Sequence, residues 1–423
     1  MKKLVFVLAI FSVLTLNAQN FQITFSGTGA STTVNTVKVE NLNTGTSLTL
    51  NGSDILRLTI ATAVNSPKDN QSSELRIYPN PMTDYTTLEI SPPLAGNAVI
   101  VVSEITGKSV YKIQSYLGNL KHYYLLTGLK NGIYVVNIKS NGYQLSGKLV
   151  SNGNSNGAIR IEKINSITQS VDIKKLETES KGSLATVDMF YTAGNRLKFT
   201  GISGNYSTVI TDIPVSDKTI NFNFVACTDG DNNNYPVLEI GAQVWMAENL
   251  KTTKYKDGST VIPLKIDNTE WSNLITPGYC WYNNNEATYK TTYGALYNWY
   301  TVSTGNLCPT GWHVPKDPEW TTLTDYLGGI SIAGGKLKET GITHWNDPNA
   351  DATNETGYTA LPGGYRGSSG TFSYIASGAI FWSATENDVT TSWGRDMGYG
   401  NSYVNRNFFN KNLGLSVRCL KDL

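Results

Sequence analysis

The chain has 423 residues, in which 34 lysines and arginines nearly cancel 33 aspartates and glutamates to leave a formal charge of +1. A balance this close, with no basic run, gives a nucleic acid or other polyanion no electrostatic footprint to hold. The length exceeds what one core organises. A charged fraction of 16%, with 39 glycines and 24 tyrosines, favours turns and half-buried strands over long helices, so several mainly β domains are expected.

Met1-Lys-Lys3 precedes the apolar run Leu4 to Leu16 and the small-residue end Asn17-Ala18. This pattern reads as a secretory signal peptide over residues 1–18, with the mature chain beginning at Gln19. The run is shorter than the roughly 20 apolar residues that cross a bilayer, and no later stretch reaches that length. No cysteine stands at the cleavage point to carry a lipid anchor.

Residues 19–66 alternate apolar and polar positions in Phe21-Gln-Ile-Thr-Phe25, Thr36-Val-Lys-Val-Glu40 and Ser47-Leu-Thr-Leu50. The period of two predicts strands with one buried face. A second set, within residues 152–226, lies at Thr186 to Tyr191, Arg196 to Phe199, Ser207 to Thr211 and Thr219 to Phe224. Whether the two sets pair into one sandwich is open at this level. Polar stretches at Asn65 to Glu74 and Ser151 to Asn156 read as linkers around a separable unit, residues 67–151.

That unit carries Leu75-Arg-Ile-Tyr-Pro-Asn-Pro81, Ile105-Thr-Gly-Lys108, Leu129-Lys-Asn-Gly-Ile-Tyr-Val-Val136 and Ser146-Gly-Lys-Leu-Val150. From Glu74 to Val150 it resembles the type A sorting domain of the bacterial type IX secretion system. The resemblance implies a small β-sandwich that directs cargo across the outer membrane from the extreme C-terminus. Here the segment is internal, which favours a sandwich retained as a spacer.

After Cys227, Asp229, Asp231 and Asn233 have the alternate spacing of a calcium loop, but Ile240 stands where a bidentate carboxylate belongs and Asn234 where the turn glycine belongs. An Asp/Asn-rich turn feeding the strand Pro236 to Ile240 is expected instead. Two helices follow. One covers Tyr293 to Val302, with Tyr293, Leu296, Tyr297 and Tyr300 at three- and four-residue steps. The other has Asp317 as N-cap and Pro318 in its first turn, and buries Trp320, Leu323 and Leu327. Short strands are expected around Gly357 to Leu361, Ile380 to Ser383, Thr391 to Arg395 and Leu415 to Arg418, making residues 227–423 an α+β domain.

All four cysteines, Cys227, Cys280, Cys308 and Cys419, fall in this domain. An even set in an exported chain points to disulfides, with three connectivities possible. Pairing Cys308 with Cys419 would tie the chain end to the middle of the domain and leave Cys227 with Cys280. Without a Cys-x-x-Cys pair, and with His122, His313 and His344 out of ligand spacing, no metal centre is read. No cofactor is called for either.

The phrases Ile240-Gly-Ala-Gln-Val-Trp-Met-Ala-Glu-Asn-Leu250, Trp281-Tyr-Asn-Asn-Asn285, Tyr293-Gly-Ala-Leu-Tyr-Asn-Trp299, Cys308-Pro-Thr-Gly-Trp-His-Val-Pro315, Ala360-Leu-Pro-Gly-Gly-Tyr-Arg366, Phe381-Trp-Ser-Ala-Thr385 and Val417-Arg-Cys419 recur in order. Through them, Cys227 to Asp422 resembles the Fibrobacter succinogenes major paralogous domain of exported bacterial proteins. The resemblance implies a C-type-lectin-like fold, shared with formylglycine-generating enzymes, and no particular activity.

Trp345-Asn-Asp-Pro-Asn349 is similar to the sugar-and-calcium motif of animal C-type lectins but lies far upstream of Cys419, so it is read as a turn. Trp271, Trp281, Tyr282, Trp345, Tyr365, Trp382, Trp393 and Tyr399 could stack on sugar rings, although most such aromatics form core. The ligand-binding set expected is Trp345, Tyr365, Arg366, Trp382, Trp393 and Arg395. An enzyme would draw on Glu319, His313, His344, Arg366, Arg395, Asp396 and Arg406, but no nucleophile-elbow phrase is present. The resulting expectation is a secreted or cell-surface, non-catalytic binding protein whose partner is a polysaccharide or a cell-surface protein. An exported enzyme of the formylglycine-generating type and a structural envelope protein are the alternatives.

Overall fold

The computed structural model describes residues 20–60, 74–93, 96–117, 121–140, 142–154, 159–164 and 185–422. The expected signal peptide, the Asn65–Ser73 part of the first expected linker and Ser155–Asn156 of the second lie outside them. The chain divides into two units, Met1–Thr62 with Glu177–Leu423, and Ala63–Leu176 between them in sequence.

In the first unit the two distant sets of strands form one sandwich. One sheet runs Thr186–Tyr191, Ile55–Ile60, Phe21–Gly29, Lys218–Phe224, two early strands side by side with a late strand on each flank. Phe21–Gly29 pairs in parallel with Lys218–Phe224, and Ile55–Ile60 in parallel with Thr186–Tyr191. The facing sheet contains Ser47–Asn51, Thr36–Asn41, Leu197–Ser203 and Tyr206–Asp212. Between them lie Ile23, Val37, Val39, Leu56, Leu58, Leu197, Phe199 and Phe222, all fully buried. These are the inward positions of the period-two alternation. Gly201 lies against the Phe222 ring, which a Cβ there would strike at 2.6 Å.

The strand Tyr206–Asp212 serves two cores. Val209 belongs to a core of the C-terminal domain with Leu238, Ile240, Trp245 and Trp320, whereas Ile210 packs on the sandwich core. A parallel bridge from Thr208 to Val237 carries the sheet on into Val237–Ile240 and Gln243–Met246. Sandwich and C-terminal domain therefore share an eight-stranded sheet.

The second unit is itself a sandwich. Its sheets are Tyr143–Asn154, Lys130–Ser140, Gly96–Glu104, Ser109–Leu117 and Arg160–Ile164, His122–Thr127, Tyr85–Ser91, Glu74–Tyr78. The Tyr-Pro-Asn-Pro phrase has a structural job. Asn80 Nδ2 donates to the Lys148 carbonyl at 2.7 Å and its Oδ1 accepts from the Val150 amide at 2.9 Å, fixing the loop to a distant strand. The expected linker at Ser151 begins inside a strand. Lys130 pairs with Asn154, and buried Ser151 donates to the Leu129 carbonyl.

The C-terminal domain has five short helices among its described residues. The helix expected from Tyr293 to Val302 is divided. One helix ends at Tyr293, Gly294 turns the chain at a φ of 73°, Leu296–Tyr297 pairs as a strand, and a second helix covers Trp299–Val302. The burial of Leu296 and Tyr297 follows strand pairing rather than a helical stripe. The helix Asp317–Tyr326 starts one residue earlier than expected, after Lys316, whose amide donates to the Glu319 carboxylate at 2.7 Å. Helix Ile330–Leu337, with Gly334 and Gly335 pressed against neighbouring backbone, has no counterpart in the sequence expectation. Gly357 to Leu361 and Leu415 to Arg418 form isolated bridges and turns instead of strands. Ile380 to Ser383 and Thr391 to Arg395 fall within Gly378–Glu386 and Thr391–Gly398, which a third strand, Asn405–Asn410, completes.

Candidate ligand-binding surface

The expected stacking residues are mostly interior. Trp345 is 2% exposed, its indole N–H donating to the Ala360 carbonyl at 3.0 Å, and Trp382 is fully buried, donating to the Tyr297 carbonyl at 2.7 Å. Trp271, Trp281 and Tyr282 are buried as well. Large rings supply the burial that a domain of short elements needs. Neither Trp345 nor Trp382 can present a ring to a ligand. Tyr365 and Trp393 are half-buried. Tyr365 leans on the exposed Tyr374, ring centroids 5.5 Å apart, and the Arg406 guanidinium covers Trp393 at 3.4 Å.

The two expected arginines are also buried. Arg366 donates to the carbonyls of Lys265, Ile266, Asp267 and Gly370 and to Asn268, and lies over the Trp271 ring at 4.4 Å. Arg395 meets Asp317 at 2.7 Å, and Arg406 meets the same carboxylate at 3.0 Å. Burial pushes the Asp317 carboxyl up, but the hydrogen bonds and charges of Arg406 and Arg395 outweigh it and hold the group below the usual carboxylate range. This triad fastens the start of helix Asp317–Tyr326 to the three-stranded sheet. Lys338 likewise donates to the carbonyls of Ala350, Gly398 and Asn401, and burial lowers its ammonium pKa to about 8.

Cys308 and Cys419 form a disulfide with a sulfur–sulfur distance of 2.03 Å. The expected Cys227–Cys280 bond is absent. Cys227 sits in the main core and Cys280 in a separate cluster with Trp271, Tyr282 and Leu296, both as buried thiols. Burial raises both, Cys280 to about 12, so neither is a thiolate near neutral pH.

The Asp229 loop is a turn. Asp229 accepts from the amides of Asp231 and Asn233, each at 2.9 Å, and from the Tyr235 hydroxyl. Asp231 accepts from the Thr253 amide and hydroxyl. The described residues contain no cluster of three or more His, Cys, Asp or Glu side chains able to hold a metal ion.

The residues an enzyme would need do not converge. His344 pairs with Glu339 at 2.9 Å, and Asp396 accepts from Asn405 and Asn407. Arg395 and Arg406 share Asp317, and His313 and Glu319 meet at 3.0 Å, while the other ring nitrogen of His313 lies 2.6 Å from Asp422. His313, Glu319 and Asp422 line a cleft of about 440 Å³ with Lys316 and the apolar Val302, Leu307 and Val314, beside the disulfide. A second cleft, of about 420 Å³, opens where the sandwich meets the C-terminal domain. Its lining includes Arg196, Asn221 and Asn223 from the sandwich and Glu239 and Tyr326 from the domain. No sequence pattern pointed to these five, because they lie on four separate segments and each is unremarkable alone.

No helix of the described residues is long and apolar enough to cross a membrane. No curated protein and no solved structure matches the chain. Residues 76–152 match the secretion system C-terminal sorting domain, the mark of a secreted or cell-surface protein. Residues 238–421 match the Fibrobacter succinogenes major domain, so two stretches of the chain are similar to two different domain families.

Proposed function

We propose that this secreted or cell-surface protein, sorted through the type IX pathway, is a non-catalytic binding protein whose C-terminal, lectin-like domain holds an extracellular glycan. The observation that carries the reading is how the polar side chains are used. Asp317, Lys338, Arg366, Arg395 and Arg418 are consumed in internal contacts, so they are unavailable for acid, base or nucleophilic work. Flat rings such as Tyr326 and Tyr399 stand exposed at the surface instead, and such rings suit sugar faces. The test is affinity electrophoresis of the mature chain through a panel of polysaccharides, with calcium and with chelator. Retardation by at least one polysaccharide, unchanged by chelator, is expected. Free migration through the whole panel would remove the glycan reading.

A second reading, an exported enzyme, rests on His313 between Glu319 and Asp422 in a cleft. The formylglycine-generating form of that reading needs redox-active cysteines, and here the candidates are either bonded to each other or buried as thiols.

A further inference from the structure

We infer that the cleft between the sandwich and the C-terminal domain is a binding site for an uncharged oligosaccharide, assembled only when both domains are present. The inference rests on the glycan reading above and places that ligand at a specific site. Its volume, about 420 Å³, lies in the range of clefts that hold small molecules. Tyr326, at the end of helix Asp317–Tyr326, is 66% exposed. One part of its ring rests on Gly241, where a Cβ would come within 2.9 Å of the ring carbons. A ring supported on backbone and otherwise open to solvent is a stacking platform with little freedom left to lose on binding.

The polar groups around that ring are only partly spent. The Arg196 guanidinium has no side-chain partner among the described residues. Asn221 uses only its Oδ1, accepting from Ser26. Glu239 accepts from Asn223 Nδ2 at 3.2 Å through one oxygen, leaving the other open. That bond joins the sandwich to the domain, so the two halves of the cleft are held in register. A guanidinium, a carboxylate and two amides offer both donors and acceptors to a ligand rich in hydroxyls. Arg196 and Glu239 cancel in charge, and Glu355 at the cleft is paired with Lys336 at 3.0 Å. The lining therefore carries no net charge that would favour a charged ligand over a neutral one.

The experiment is calorimetric titration of the full mature chain with neutral oligosaccharides, cut from a polysaccharide that retards it, and with uronate-containing ones. The variants are Tyr326→Ala, Arg196→Ala and, as a control on a remote exposed ring, Tyr374→Ala. All three sites are at the surface, and unchanged unfolding midpoints confirm folding. Neutral oligosaccharide is expected to bind more tightly than uronate, with affinity falling roughly tenfold in Tyr326→Ala, falling in Arg196→Ala and unchanged in Tyr374→Ala. Wild-type affinity in both cleft variants overturns this site while leaving the glycan reading intact. Tighter binding of the uronate ligand overturns the assigned ligand class. No binding by the wild-type chain to any oligosaccharide overturns the site and the glycan reading together.

Discussion

Asp317 lies one residue inside its helix rather than at the cap where it was expected, and its role differs as well. Its position before Pro318 suggested a cap, yet its carboxylate holds Arg395 and Arg406, and in the cap hydrogen bond the Lys316 amide donates to the Glu319 carboxylate. Replacing it with asparagine would leave the buried Arg395 without a counter-charge, so Asp317→Asn should lower unfolding stability by about 3–5 kcal/mol at pH 7. Because the folded-state pKa is depressed, this contribution is fully present above the unfolded value of about 3.9 and fades as pH falls through the folded one. Urea unfolding of both proteins should thus show a gap at pH 7 that narrows steadily towards pH 2. An equal gap at both ends would contradict the ion-pair account. Trp382→Ala belongs with it: loss of a buried indole should cost about 3–5 kcal/mol, so any effect on ligand binding must be judged against folding.

At the scale of elements, periodicity exposed the strands well. Phe21, Ile23, Val37 and Val39 are interior where alternation placed them. The divided helix near Gly294 was not legible, since Tyr293, Leu296, Tyr297 and Tyr300 keep helical steps while Gly294 and a two-residue strand interrupt them. Cysteine pairing was legible only in part, because count and compartment do not reveal that Cys227 and Cys280 lie in different clusters. Thiol titration of the chain denatured without reductant should find two reactive thiols, and the native chain almost none. A count of zero after denaturation would mean a second disulfide. Removing the Cys308–Cys419 bond, which closes a span of 111 residues, should cost about 4–5 kcal/mol by the chain-entropy model, read as a lower unfolding midpoint for Cys419→Ser. Asn80→Ala loses two hydrogen bonds and should weaken the inserted unit by about 1–3 kcal/mol. A second, separate unfolding transition that does not move would place the effect in that unit alone.

The whole molecule depends on pairings across long sequence distances. Strands before residue 61 find partners after residue 185, with the sorting-like unit as the chain between Ile60 and Thr186. Parallel neighbours such as Ile55–Ile60 and Thr186–Tyr191 require a crossover connection, and here that connection contains a folded unit. This arrangement was invisible to local pattern, which sees two similar sets of strands and nothing that joins them. A chain ended after Ile164 keeps the inserted unit but lacks half the outer sandwich, leaving Phe21, Ile23 and Leu58 without the side chains that cover them. Amide spectra of that fragment should show dispersed signals from the inserted unit and undispersed ones from residues 20–60. Dispersed signals throughout would show that the early strands fold without the late ones.

The cleft between sandwich and C-terminal domain is where this long-range assembly acquires a use, and hydrogen exchange of the mature chain with and without a bound oligosaccharide tests it most directly. The account predicts added protection in Tyr206–Asp212, Val237–Ile240 and the end of Asp317–Tyr326 together. Protection confined to the hairpin around Tyr365 and Tyr374, or to the cleft beside Cys308, would contradict it.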